Sequence, residues 1–357
     1  MDGELIEALS EPTLLVRSGL VVMSNAPARA VLGDWIDGRD IRLAIRHPRA
    51  VERLLDFSAR GSEELELARI GEAERRWLMT ISVLSDGSKL VRLLDRSEAF
   101  AAEKMRVDFV ANASHELRTP LATLIGFTET LLDRDEAIDA ETRRKFLGII
   151  HDEARRMQRL IDDLISLSRI EGERFRAPRE TIALDLVVRE AKQNWSHTAN
   201  EASSTILLEI EPDLPPIPGD RAQLIQLVDN LLSNAIRYGR ENGHIRIALA
   251  RDGNKVRLAV ADDGEGIPSE HLPRLTERFY RVNASRSRAK GGTGLGLSIV
   301  KHIVERHNGR LQIQSQVGKG TTVTVLLPIP NGVAGADASI ERSGDGTAKA
   351  YRQSRRA

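Results

Sequence analysis

The chain of 357 residues contains no cysteine. That absence excludes disulfides, thiolate metal sites, iron–sulfur clusters and cysteine nucleophiles together. It fits a reducing compartment without establishing one. No run of about 18 consecutive apolar residues is present, so no membrane span is expected in the sequence. The opening Met1-Asp2-Gly3-Glu4 is acidic and lacks a signal-peptide pattern. The expectation is a cytoplasmic chain, with inner-membrane association left open through a transmembrane start upstream. An excess of charge of one sign is also missing, since 52 basic residues balance 52 acidic ones. Nothing in that balance points to nucleic acid or anionic lipid, and no direct nucleic-acid binding is expected. No internal repeat is visible.

What is present is 41% hydrophobic residues, enough for real cores. The length predicts two or three domains. The expected architecture is multidomain α+β, divided at residues 1–95, 96–173, 174–330 and a tail at 331–357.

Residues 1–95 read as a small α+β domain. Thr13 to Val16 meets Leu20 to Met23 across Ser18-Gly19, a hairpin signal. Asn25 is placed to cap a short helix with Pro27 in its first turn. Three strand-like runs follow, Glu64 to Ile70, Trp77 to Leu84 and Lys89 to Leu94, separated by Gly71-Glu72 and Asp86-Gly87.

From 96 to 133 the pattern turns helical, with Phe109, Ala113, Leu117, Leu121, Leu124 and Leu131 at helical spacings. A second helix is expected over 140–172. Asp139 is its N-cap, Phe146, Ile150, Met157, Leu160, Leu164 and Leu167 form its stripe, and Gly172 suits the stop. Two such helices form an αα-hairpin, which cannot cover both sides of its stripe alone. Pairing with a second copy into a four-helix bundle predicts a homodimer.

Residues 174–330 read as an α/β domain. Its strands are expected at Thr205 to Ile210, His244 to Ala250, Lys255 to Ala261, Arg310 to Gln316 and Thr321 to Leu327. Its strong helices are Arg221 to Tyr238 and Leu297 to His307. The tail, rich in Gly, Ala, Ser and charge, is expected to be disordered.

Three elements of this domain carry chemistry. Asn230 and Asn234 stand four apart beside the stripe of Leu224, Leu227, Val228, Leu231 and Ala235. That spacing stacks both amides on one helix flank. Their carbonyl oxygens are hard donors of the kind Mg²⁺ accepts alongside phosphates and water. Two Asn taken alone are equally a polar helix edge. Asp262-Asp263-Gly264-Glu265-Gly266 follows an apolar strand. A carboxylate there can accept from an exocyclic adenine amine, and Gly264 and Gly266 let the backbone turn against a flat ring. Gly291-Gly292-Thr293-Gly294-Leu295-Gly296-Leu297-Ser298 runs straight into a helix, whose N-terminus favours phosphate. It is neither a Walker loop nor a dinucleotide fingerprint, because no G-K-[ST] follows and no strand precedes it. Between the two glycine motifs, Arg274, Arg278, Arg281, Arg286, Arg288 and Lys290 read as a lid over a triphosphate.

In the first long helix stands Ser114-His115-Glu116-Leu117-Arg118-Thr119-Pro120. A lone helical His is usually structural. Here Glu116 can take the Nδ1 proton and leave Nε2 free to attack phosphorus, as general base to a nucleophile. Pro120 weakens the helix one turn beyond.

The order of Asn helix, D-x-G-x-G, Phe279-Tyr280 and G-x-G-x-G resembles the N box, glycine boxes and F box of the GHKL ATP-binding fold, an α/β sandwich. That resemblance implies ATP and Mg²⁺ as cofactors. It implies Asn234 as Mg²⁺ ligand assisted by Asn230, and Asp262 as adenine reader. Gly292, Gly294 and Gly296 frame the phosphates, with Leu297 in the same element and Phe279 as the F-box aromatic. Gly318-Lys319-Gly320-Thr321 resembles the last glycine element of that site. Asp108 to Leu121 resembles the H-box of sensor histidine kinases, which implies phosphoryl transfer to His115 and then to an Asp of a response regulator. That regulator is expected to be a DNA-binding transcription factor. The H-E-x-x-T pattern also permits regulator dephosphorylation, with Thr119 placing a water. Residues 1–95 resemble a PAS sensor domain. His271 to Asn283 looks like the phosphate-regulon sensor subgroup, although the transmembrane start usual there is missing. A chaperone-like or repair-type GHKL ATPase and a non-enzymatic scaffold are the rival readings. The absence of cysteine excludes cysteinyl-flavin photochemistry and thiolate haem ligation in the first domain.

Overall fold

The computed structural model describes residues 2–56, 60–68, 75–133, 138–173, 176–283 and 292–330. The chain forms two compact units, Met1–Ala113 and Ser114–Ala357. Gly71-Glu72, Ile70, Arg286, Arg288, Lys290, Gly291 and the tail at 331–357 lie outside the described residues. Among those described, no helix is long and apolar enough to cross a membrane.

In the first unit, β1 (Thr13–Arg17), β2 (Leu20–Ser24), β3 (Ser62–Ala68), β4 (Arg76–Val83) and β5 (Lys89–Asp95) make one sheet in the order β2-β1-β5-β4-β3. Every pairing is antiparallel. Ser18 and Gly19 turn the first hairpin with φ of 51° and 81°, the left-handed pair that a two-residue hairpin needs. Helices α1 (Asp2–Glu7), α2 (Ala26–Leu32) and α3 (Pro48–Leu55) accompany the sheet. Alternation does the sorting: Trp77, Met79 and Ile81 of β4 all turn inward, onto Ile36, Ile41 and Leu54.

Two buried polar groups fix this unit. The Asn25 carboxamide oxygen accepts from Thr13 N at 2.9 Å and from Ala28 N at 3.0 Å, capping α2. Its nitrogen donates to the carbonyls of Leu9 and Glu11. Lys89 Nζ donates to the carbonyls of Arg53, Leu54 and Asp56 at 2.7–2.8 Å. A cation thus completes the C-terminal end of α3, where orphan carbonyls collect.

In the second unit, α4 (Ser97–Asp133), whose part from Ser114 onward lies here, and α5 (Ala140–Gly172) form the hairpin. Asp139 caps α5 through Thr142 N at 2.8 Å. Phe127 and Phe146 pack with ring centroids 4.9 Å apart. Pro120 is buried inside a continuous α4, so the weak point does not break the helix. Gly172 is the last helical residue rather than a left-handed stop, and Glu173 closes the helix at φ −103°. The Glu173 backbone N–H donates to the Arg169 and Ile170 carbonyls at 3.2 Å, so no left-handed glycine is required.

Beyond the hairpin, β7 (Thr205–Ile210), β9 (His244–Asp252), β10 (Lys255–Asp262), β11 (Arg310–Gln316) and β12 (Gly320–Pro328) form a sheet ordered β11-β12-β10-β9-β7. Only β7 and β9 run parallel. Helices α6 (Leu184–Glu201), α7 (Arg221–Tyr238) and the Gly296–Arg306 helix pack together, and α7 lies on β9 and β10. Leu224, Leu227, Val228 and Leu231 of α7 are buried with Ile247, Leu258 and Val260 of the sheet. Elements not foreseen are α1, α6 and the short pair β6 (Glu180–Ile182) and β8 (Ile217–Gly219). α6 was legible, since Leu184, Val187, Val188 and Ala191 repeat at helical spacing and all are buried.

Replacing Lys89 by Met removes the ammonium that donates to three carbonyls. Lys89→Met should lower the unfolding free energy of the first unit by about 2 kcal/mol, read by denaturant titration of the full chain through Trp35 and Trp77 fluorescence.

Candidate functional site

The site sits in the second unit, where one end of α7 meets the end of β10 and the start of the Gly296–Arg306 helix. A cavity of about 420 Å³ opens there. Nine of the residues singled out from sequence line it: Asn230, Asn234, Asp262, Gly266, Gly292, Gly294, Gly296, Leu297 and Thr321. Gly264 and Phe279 do not line it but back it. His115, Glu116 and Thr119 are on α4, away from the lining.

The glycines earn their positions by close backbone approach. At Gly320 (φ 107°) an added Cβ would fall 1.9 Å from the Asp262 carbonyl oxygen. At Gly266 (φ 72°) it would fall 2.1 Å from the Gln316 carbonyl oxygen. Gly294 (φ 76°) lies against the Phe279 backbone, and Phe279 N donates to the Gly294 carbonyl at 2.9 Å. Phe279 itself has φ 62°, an unusual conformation for a bulky residue. Its contribution is therefore to brace the glycine segment from behind.

At the base, Asp262 Oδ1 accepts from Gly264 N at 2.9 Å. Burial pushes the Asp262 carboxyl up, while hydrogen bonds from the Gly264 and Thr321 backbones pull the other way. Ser315 Oγ, in contact with Thr321 Oγ1 at 2.8 Å, accepts from Ile267 N. Among the described residues, Asn230 Nδ2 is buried with no hydrogen-bond partner. A Cβ on Gly296 would come within 3.3 Å of Asn230 Oδ1 and 3.7 Å of Asn234 Nδ2. The glycine thus leaves room beside both amides. An orphaned amide, adjacent carbonyl oxygens and a buried carboxylate are the donor and acceptor set that a purine nucleotide and a hard cation use. The residues fit ATP with Mg²⁺.

Cationic groups gather at the mouth. Arg159, Arg237 and Arg281 line the cavity, and burial lowers the affinity of Arg237 for its proton. Of the arginines read as a lid, Arg274 pairs with Glu277 and stacks on Tyr280, and Arg278 pairs with Glu171. Arg281 alone of these three reaches the cavity. It donates to the Thr293 carbonyl and to Glu116 Oε2, both at 2.9 Å. Sequence reasoning missed Arg159, Asp162 and Asp163 of α5 and Trp195 of α6, which come from far away in the chain, and Asp229 of α7, which stands beside Asn230 and accepts from Trp195 Nε1 at 2.8 Å.

The acceptor segment differs from expectation in one respect. Glu116 is paired with Arg281 and, at 3.4 Å, with Arg156 of α5. His115 is exposed. Adjacent helical residues point about 100° apart, so Glu116 faces the α5 side while His115 faces out. Thr119 Oγ1 donates to the His115 carbonyl at 3.3 Å.

Comparison with known proteins gives this arrangement its class. Residues 219–331 match the family of histidine kinase-, DNA gyrase B- and HSP90-like ATPases. Residues 105–173 match the His Kinase A (phospho-acceptor) domain. An ATPase lobe joined to a phospho-acceptor hairpin is the catalytic region of a histidine kinase. The phosphate regulon sensor protein PhoR of Pseudomonas aeruginosa is 35% identical over 331 residues, with 90% of this chain and 74% of PhoR covered. The sensor-like histidine kinase SenX3 of Mycolicibacterium smegmatis is 36% identical over 251 residues, with 70% of this chain and 65% of SenX3 covered. The histidine kinase ThkA, solved with the response regulator protein TrrA, shares the fold at TM-score 0.51 and 20% identity, covering 92% of this chain and 98% of that one. The chain belongs to the sensor histidine kinase family.

The raised carboxyl of Asp262 carries a stability cost. A folded-state affinity above the unfolded one contributes stability below the unfolded pKa and loses it as pH rises through the folded value. At neutral pH the ionised carboxylate is therefore a burden on the unliganded lobe. Asp262→Asn should raise the thermal midpoint at pH 7 and bring little gain at pH 4, measured by calorimetry without nucleotide.

Proposed function

We propose that the chain transfers the γ-phosphoryl group of ATP to His115 and passes it to an aspartate of a response-regulator receiver domain. The observation that carries this reading is the Arg281 bridge, which joins Glu116, next to His115, to the Thr293 carbonyl on the cavity wall. It puts the acceptor helix and the phosphate end of the cavity within one side chain of each other.

Each residue then has a role. Asp262 accepts the exocyclic amine of adenine. Asn234, assisted by Asn230, would hold Mg²⁺ through amide oxygens, and the ion would supply positive charge to the phosphates. Gly292, Gly294 and Gly296 let backbone N–H groups approach the phosphates, and the helix starting at Gly296 adds its dipole. Leu297 and Thr321 complete the walls. His115 Nε2 forms the new bond to phosphorus as the bond to the ADP oxygen breaks, in line and largely by positioning. Glu116, once released from Arg281 and Arg156, takes the Nδ1 proton. Because His115 is not on the cavity wall, the lobe shifts along the hairpin before transfer.

Further readings rest on the same chain. Exposed Leu121, Ile125, Leu147, Ile161 and Ile165 on the hairpin support a homodimer through a four-helix bundle. The chain order of two strands, helices and three strands supports a PAS-like sensor at residues 1–95, followed by a hairpin over 96–173 and a catalytic lobe over 174–330. Similarity to PhoR supports phosphate-starvation signalling through a DNA-binding regulator.

Incubation with γ-labelled Mg–ATP should give acid-labile, base-stable label. His115→Gln should abolish it while sparing ATP binding, and Asn234→Asp should abolish it by losing Mg–ATP. Turnover of ATP without phosphohistidine would instead favour a GHKL ATPase, and binding without transfer a scaffold.

Thr119 is assigned the placing of a water for dephosphorylation of the regulator. Thr119→Ala should cut release of phosphate from labelled regulator by roughly tenfold or more with autophosphorylation retained. An unchanged release rate would remove Thr119 from that role.

A further inference from the structure

The nucleotide cavity is not walled by the ATPase lobe alone. Arg159, Asp162 and Asp163 of α5 line it. Thr293, in the glycine segment, donates from Oγ1 to Asp163 Oδ2 at 2.7 Å. The same residue has its carbonyl held by Arg281, which also holds Glu116. Thr293 is thus gripped at both its polar groups, directly or at one remove, by carboxylates of the hairpin. Below this point the contact continues down α5. Ser166 Oγ donates to Gln226 Oε1 at 2.8 Å, Glu171 pairs with Arg278 and lies 3.4 Å from His302, and Glu173 pairs with Arg306 at 2.7 Å. From 163 to 173 is about 15 Å of helix, anchored at each turn.

We propose that Asp163 belongs to the nucleotide site and makes ATP binding and the docking of α5 compete. The inference rests on the assignment of this cavity to ATP. A carboxylate of α5 sits at the phosphate end of the cavity and occupies the hydroxyl of the glycine segment. A triphosphate brings several negative charges to that same end, in a region shielded from water where like charges repel strongly. The three arginines there offset the repulsion only while free, and Arg281 is already committed to Glu116. Burial pushes the Asp163 carboxyl up, in keeping with an environment that disfavours more negative charge. Arrival of the phosphates therefore expels Asp163. Loss of the Asp163–Thr293 bond loosens the top of the α5 contact, and Arg281 becomes free to leave Glu116. The docked arrangement is the resting state, and ATP more than ADP opens it because the γ-phosphate adds charge at the docked end.

The test uses the full chain. Mg–ATP, Mg–ADP and adenosine are titrated calorimetrically against wild type, Asp163→Asn and Asp163→Ala. Asp163→Asn keeps shape and hydrogen bonding while removing charge, so it serves even where the alanine variant folds poorly. The expected result is about tenfold tighter ATP in Asp163→Asn, about threefold tighter ADP and unchanged adenosine, a gradient set by charge. In parallel, Ser166→Cys with Gln226→Cys gives a specific pair in a chain without native cysteine. A short bismaleimide should join that pair readily without nucleotide, more slowly with ATP, and slowly from the outset when Asp163→Ala, which removes the acceptor of the Thr293 hydroxyl, is added. Three results overturn the inference: unchanged or weaker ATP binding in both Asp163 variants, equal tightening of adenosine, or cross-linking indifferent to ATP. In each of these wild type still binds ATP, and the kinase reading stands. Failure of every version to bind ATP would remove the nucleotide assignment itself.

Discussion

The Arg281 guanidinium is the joint on which the second unit turns. Its side chain is only 6% exposed, and it spends its donors on a carboxylate of α4 and a carbonyl of the glycine segment. A charge this deeply covered is stable only while paired, because desolvating an unpaired guanidinium costs several kcal/mol. Its Nε is buried without a partner among the described residues. The pairing is therefore incomplete, and a ligand offering more acceptors competes for it. Phosphate oxygens are such acceptors. The same group can hold the lobe on the hairpin at one time and contribute charge to the nucleotide at another.

The cavity shows a related compromise. Asp262 is held in place by backbone N–H donors yet remains costly to ionise, and Asn230 keeps an amide nitrogen buried without a partner. Neither arrangement would be chosen for stability alone. Both make sense where a ligand completes the hydrogen bonding, since groups preorganised for a guest are under-satisfied without it. The glycines belong to the rigid part of this design. Gly320 and Gly266 are set by contact of one backbone with another, and so hold the β10 end against β11 and β12. Their constraint is packing, and the opening for a ring is its consequence.

Local chemistry made much of this legible from sequence. Ser18-Gly19 announces its hairpin, Asn25 and Asp139 their helices, and the alternation along β4 its buried face, because each is decided by neighbours a few residues away. The order of Asn helix and glycine motifs likewise pointed to nine of the residues in the cavity wall. What stayed hidden was long-range. Asp163 and Arg159 belong to no motif on α5, and nothing near Asp163 in the sequence signals a partner 130 residues away at Thr293. Arg278 looked like a lid residue because it stands between two nucleotide motifs, but Glu171 claims it. A charge pattern states that partners are needed without stating which.

The divergence of His115 and Glu116 follows from the helix itself. Successive residues of a regular helix start about 100° apart, so while Glu116 is held by Arg156 and Arg281 its carboxylate points away from the exposed His115. Pro120 removes the N–H that would bond the Glu116 carbonyl, the one backbone acceptor in this turn that the helix must leave to other donors. The Glu116 carboxylate is meanwhile tied to α5 through Arg156 and to the lobe through Arg281. A movement of either partner is thus felt at the residue beside His115.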